Sequence, residues 1–75
     1  MGPVTLFRID PAKHMSRFYR FDIQPTLFGQ WSFVREWGRI GSPGRVRIVV
    51  FATLADAQAA LDRLRKAKEQ RGYHL

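Results

Sequence analysis

The 75-residue chain contains no cysteine, only two histidines, and six acidic residues against thirteen basic ones. Each shortage removes a class of function. Without cysteine there is no disulfide framework and no thiolate. His14 and His74 lie at opposite ends of the chain, so zinc has no ligand set. A hydrolase needs a nucleophile with a base, or a group of metal-binding carboxylates. Ser16, Ser32 and Ser42 have no histidine beside them in sequence and the acids are scattered, so this inventory predicts a chain that is not an enzyme and takes neither metal nor cofactor. No apolar run approaches the roughly 18 residues of a membrane span, and Arg8 and Asp10 interrupt what would have to be the apolar core of a signal peptide. No membrane contact is expected, and the expected location is the cytoplasm.

The surplus is positive charge. The net charge is +7, the isoelectric point is near 11.2, and ten of the thirteen cations are arginine. Such a field attracts polyanions, and the planar guanidinium suits both phosphate and the faces of rings or bases. Nucleic acid leads the expected partners. With 45% apolar and 25% charged residues the composition is globular. A chain this short makes one domain, residues 1–75, around one small core, burying only about 60% of its unfolded surface.

Val4 to Asp10 is rich in β-branched and aromatic residues and ends before Pro11, which reads as a first strand followed by a loop to Ser16. Arg17 to Gln24 alternates, with Tyr19, Phe21 and Ile23 on one side, as a second strand. Pro25 to Gly29 is a turn whose Leu27 and Phe28 are expected to fold back onto the core. Gln30 to Ile40 is a third strand, with Trp31, Phe33, Arg35, Trp37 and Arg39 on one parity. That parity is awkward: Trp31 and Phe33 suit a core, whereas Arg39 does not. Either a bulge or strong twist at Gly38 breaks the alternation, or one end of the face is covered and the other open. Gly41 and Gly44 suit positive φ in the Gly41–Gly44 turn. Arg45 to Ala52 follows as a fourth strand, and its apolar residues on both parities suggest a central place in the sheet.

Thr53 is placed to cap a helix running to about Arg71, with Leu54, Ala57, Ala60, Leu61, Leu64 and Ala67 on one face and Gly72 just beyond its end. Lys68 and Arg71 fall within the apolar stripe, where they either cap the last carbonyls or join a basic surface. The fold class is α+β: a small antiparallel sheet of four to five strands with a single C-terminal helix on one face, leaving the other face free for a partner.

The chain carries, in order, Leu27-Phe28-Gly29, Trp31, Arg35, Trp37-Gly38-Arg39-Ile40-Gly41, Gly44, Phe51, Ala57 and the ending Lys68, Arg71-Gly72-Tyr73. On these residues Phe18 to Tyr73 resembles the WGR domain, with the motif-bearing region at residues 17–73. The family occurs in DNA-dependent poly(ADP-ribose) polymerases and in small bacterial proteins. The resemblance implies an antiparallel sheet with one flanking helix. It also implies nucleic-acid binding, in which the motif tryptophan, here Trp37, packs on a sugar near a strand end and Arg39 lies beside it. Arg45 departs from the glutamine common in the polymerases and adds charge.

The candidate nucleic-acid-binding residues are Trp37, Gly38, Arg39, Arg45, Arg47, Arg35, Arg20, Lys68 and Arg71. Arginines hold phosphates, the ring packs on sugar or base, and Gly38 shapes the hairpin that aims them. DNA at ends, nicks or gaps is expected before RNA, with little sequence specificity, by a monomer or weak dimer. The competing expectation is a protein-interaction module using the open sheet face, since tryptophan and arginine are also enriched at protein hot spots.

Overall fold

A computed structural model describes residues 2–75. Four strands, β1 (Val4–Asp10), β2 (Met15–Pro25), β3 (Trp31–Arg39) and β4 (Arg45–Phe51), form one antiparallel sheet in the order β1-β2-β3-β4, and a single helix, α1 (Leu54–Gln70), follows. A short 3₁₀ turn at Pro11–Lys13, capped by the Asp10 side chain, joins β1 to β2. The α+β expectation is met with four strands. The chain's end adds a two-way backbone bridge, Phe7 N–H to His74 C=O at 2.7 Å and His74 N–H to Phe7 C=O at 2.9 Å, on the β1 edge.

β2 and β3 pair without interruption from Arg17↔Arg39 to Pro25↔Trp31, so there is no bulge at Gly38. Strict alternation therefore holds, and cross-strand neighbours form rungs on the helix-side face. From one end to the other these are Pro25-Trp31-Phe51, Ile23-Phe33-Val49, Phe21-Arg35-Arg47, Tyr19-Trp37-Arg45 and Arg17-Arg39. The face passes from apolar to basic along its length. α1 covers the apolar end: Leu6, Tyr19, Phe21, Ile23, Phe33, Ala57, Leu61 and Tyr73 form the buried core, with Trp31, Trp37 and Leu64 packed against it. The parity conflict is thus resolved by partial cover, not by a break in register.

The Thr53 hydroxyl accepts the Asp56 amide hydrogen at 3.1 Å, starting α1 as its sequence predicts. At the other end Gly72 has φ +93° and the Tyr73 amide donates to the Lys68 carbonyl at 3.0 Å. This chain reversal seats Tyr73 in the core.

Three expectations are corrected. Leu27 and Phe28 do not fold back; they are 98% and 86% exposed, on a turn held by Thr26, whose hydroxyl accepts the amides of Phe28 and Gln30. That bonding aims the intervening side chains outward. β4 is an edge strand, not a central one. Its two apolar parities reflect Val49 and Phe51 toward the helix, and Val46, Ile48 and Val50 on a face that nothing in the described chain covers. Gly44 does not take a positive φ, whereas Gly41 does at +87°. Gly44 is needed for space: a Cβ there would lie 2.7 Å from the Trp37 carbonyl oxygen and 2.9 Å from the Phe18 ring.

Candidate nucleic-acid interface

The site forms where the helix-side face emerges from beneath the end of α1. Trp37 lies on the rung between Tyr19 and Arg45. Its ring stacks on Tyr19, with centroids 5.5 Å apart and planes 9° from parallel, and it is half-buried. Tyr73 meets Tyr19 edge-on, with centroids 6.1 Å apart at 90°. Trp37 is therefore held from one side by core aromatics while its β4 side faces Arg45. Gly38 serves this arrangement through closeness: a Cβ there would stand 3.0 Å from the Gly44 Cα. The two glycines let the hairpin close under the ring of Phe18.

Cations surround the stack. Arg35 places its guanidinium carbon 5.5 Å from the Trp37 centroid, and its Nε is buried without a hydrogen-bond partner. Lys68 reaches from α1 with its ammonium 4.5 Å from the Tyr19 centroid and 5.9 Å from that of Tyr73. Burial lowers the pKa of Lys68 below its ordinary value, and the charges of Arg71 and Arg35 lower it further. Burial raises that of Tyr19, an effect that nearby Arg35 partly offsets.

Three hollows mark this surface. One of about 390 Å³ is lined by Arg17, Trp37, Gly38, Arg39, Arg45 and Tyr73. A second, about 330 Å³, continues past Arg17 and Arg39 to Lys13 and His14. The third, about 390 Å³, is a groove between α1 and β4 with an apolar floor of Phe33, Val49, Phe51 and Leu64. Arg35, Arg47 and Arg63 stand along it. No carboxylate lines any of the three. Among the described residues the one ion pair is Arg65–Glu69 at 3.8 Å, within a helix surface. Among the described residues the cations of this surface have no carboxylate partner.

Of the residues expected from sequence, Arg35, Trp37, Arg39, Arg45 and Arg47 share the helix-side face of β3 and β4, Gly38 lines the same hollow, and Lys68 and Arg71 stand at the end of α1. Lys68 lies over aromatic rings and not at the terminal carbonyls. Arg20 is the exception. It pairs with Glu36 and, by alternation, points to the opposite face, away from Arg35, which lies beside Phe21. Of the two arrangements the sequence left open for Trp37, the structure has the second: it lies on the helix-side face, at the end of that face that is only partly covered.

Sequence reasoning missed Arg17, Tyr19, Tyr73 and Arg63. Arg17 shares the parity of Tyr19 and pairs with Arg39, so the β2–β3 register was the signal that could have found it. Tyr19 and Tyr73 are both buried in the core, while also forming the back wall of the site.

The chain matches the WGR domain family over residues 2–75. It is 39% identical, over 66 residues, to the uncharacterized protein y4dW of Sinorhizobium fredii (strain NBRC 101917 / NGR234). The match covers 88% of this chain but only 32% of that protein, so the chain spans about a third of the relative's length. No solved structure matches the chain at a significant level. With its tryptophan, glycine and arginine at positions 37 to 39 on one continuous strand, and its whole described length matched, this chain belongs to the WGR domain family.

Proposed function

We propose that this domain binds nucleic acid without catalysing a reaction on it, DNA in preference to RNA, at ends, nicks or gaps and with little base specificity. The observation that carries the reading is the Trp37–Tyr19 stack set among Arg17, Arg35, Arg39, Arg45 and Lys68 with no carboxylate in its hollow. Unpaired guanidinium and ammonium groups hold phosphates, which orient a strand without reading its sequence. The accessible part of the Trp37 ring then packs on the sugar or base that a strand end exposes. Membership of a family that is a nucleic-acid-binding type of module in poly(ADP-ribose) polymerases supports the same reading. No helix among the described residues is long and apolar enough to cross a membrane.

The test is a binding series on blunt, nicked and closed circular duplex and on single-stranded DNA and RNA at several salt concentrations. Saturable binding, tighter on ends and nicks than on closed circles and weakened by salt, is the expected result. Equal affinity for closed and open duplex removes the end-recognition part. Recovery of labelled DNA, RNA and nucleotides unchanged after incubation checks the non-catalytic part.

A specific feature favours a second reading, a protein-interaction module. Ile9, Val46, Ile48 and Val50 are each about half exposed or more on the uncovered sheet face. A chain that ignores every nucleic acid offered, yet retains one protein in a pull-down through that face, belongs to this reading.

A further inference from the structure

We infer that the groove between α1 and β4 receives an unpaired base, so that the preferred substrate is a duplex end carrying a short single-stranded extension. The inference rests on the nucleic-acid reading of the adjoining site and names its substrate more closely. Three observations lead to it. First, the groove adjoins the site: the rung Arg35-Arg47, which lines the groove, lies next to the rung Trp37-Arg45, roughly 7 Å along the strands. A strand passing Trp37 therefore reaches the groove at its next residue. Second, the floor is apolar and includes the ring of Phe51, and the cavity is about 390 Å³. Such a surface accepts the flat face of a base and offers no donor or acceptor that would read its identity, the pattern of sequence-tolerant single-strand binding. A base paired and stacked inside a duplex has no free face to present; an unpaired one does.

Third, the charge is arranged for phosphates on the rim and not for an apolar ligand alone. Arg35, Arg47 and Arg63 line the groove without a carboxylate among its lining residues. Arg35 lines the groove and lies over the ring of Trp37, which lines the neighbouring hollow, and its Nε is buried and unpartnered. An occupant that brings both a flat apolar ring and anionic groups satisfies floor and rim together. A nucleotide supplies both.

The experiment compares three labelled probes of one duplex sequence on the whole chain: blunt, extended by three nucleotides, and extended by three abasic residues that keep sugar and phosphate. The extended duplex is expected to bind more tightly than the blunt one, by about 5- to 150-fold for a single stacked base. The abasic extension is expected to lose most of that gain. Ala67→Trp, which fills the groove from an exposed helix position, and Arg63→Ala, at an exposed rim position, are each expected to reduce the ratio of extended to blunt affinity. Blunt and extended probes bound equally well overturn the inference and leave the parent reading standing. So does an abasic extension as good as the normal one, which shows phosphate contacts without a base. Failure to bind any of the three overturns the parent reading, and the groove assignment with it.

Discussion

Trp37 does two things at once, and its neighbours separate them. One side of the ring is stacked on Tyr19 and belongs to the edge of the core; the Arg35 guanidinium lies over the ring, and Arg45 is its neighbour across β4. Trp37→Ala is therefore expected to cost about 2 kcal/mol of stability, below the full core value because the ring is only half-buried. The same change should weaken binding to strand ends by roughly 5- to 150-fold while affecting closed circular duplex less. Trp37→Phe keeps a ring on Tyr19, so comparing the two variants by thermal unfolding and by end binding separates folding from recognition. Gly44 gives a second residue-scale prediction. Because the atoms that a Cβ would meet there include backbone, Gly44→Ala is expected to destabilise by roughly 1–3 kcal/mol, measured by denaturant unfolding. The sequence marked Gly44 as special but for the wrong reason. A positive φ is suggested by glycine in a turn; a close approach between strands depends on partners, Phe18 and the Trp37 carbonyl, that are distant or unpredictable before folding.

At the scale of elements, the end of α1 and the β3–β4 hairpin meet at Tyr19, and Lys68 is the group that reports on the meeting. Its folded-state pKa lies below its unfolded value, so folding disfavours its proton, and that unfavourable contribution is relieved as pH rises through the folded pKa toward 10.5. A phosphate brought beside Lys68 acts in the opposite sense and raises its pKa. Binding of duplex DNA is thus expected to take up protons at alkaline pH below 10.5, read by calorimetry in two buffers of different ionisation enthalpy. Lys68→Met, which can keep the contact with the rings, is expected to abolish that uptake. Both ends of α1 were legible because capping is local chemistry: Thr53 bonds an amide three residues on, and Gly72 reverses the chain just past the last turn. The position of β4 was not legible. An apolar residue on each parity says that both faces are apolar and leaves open whether another strand lies beyond.

Across the whole molecule, charge is segregated by sheet face. Arg35, Arg39, Arg45 and Arg47 point to the helix side with Arg17, whereas Arg20, Asp22 and Glu36 share the other face with the exposed Val46, Ile48 and Val50. Engagement of roughly four to six cations on duplex DNA gives a slope of log affinity against log salt of about −3.5 to −5.5. A salt series by fluorescence anisotropy measures it, and a flat response removes the phosphate contacts. Ile48→Glu places a charge on the uncovered face, remote from the hollow around Trp37. It is expected to leave DNA affinity within a few-fold of the parent while abolishing any protein contact made there, so the same variant weighs the two readings against each other.

The amino-acid sequence by itself determined the strands, the helix with its caps, the α+β class and the shared parity of Arg35, Trp37 and Arg39, because alternation, capping and charge are local properties. Only the tertiary structure decided which face Trp37 shares and with whom. The unbroken β2–β3 register puts it on the helix side, and the end of α1 stops short of the last rungs. The same register sends Arg20 away and brings Arg17 in, since a strand's parity acquires a meaning only when one of its faces is covered.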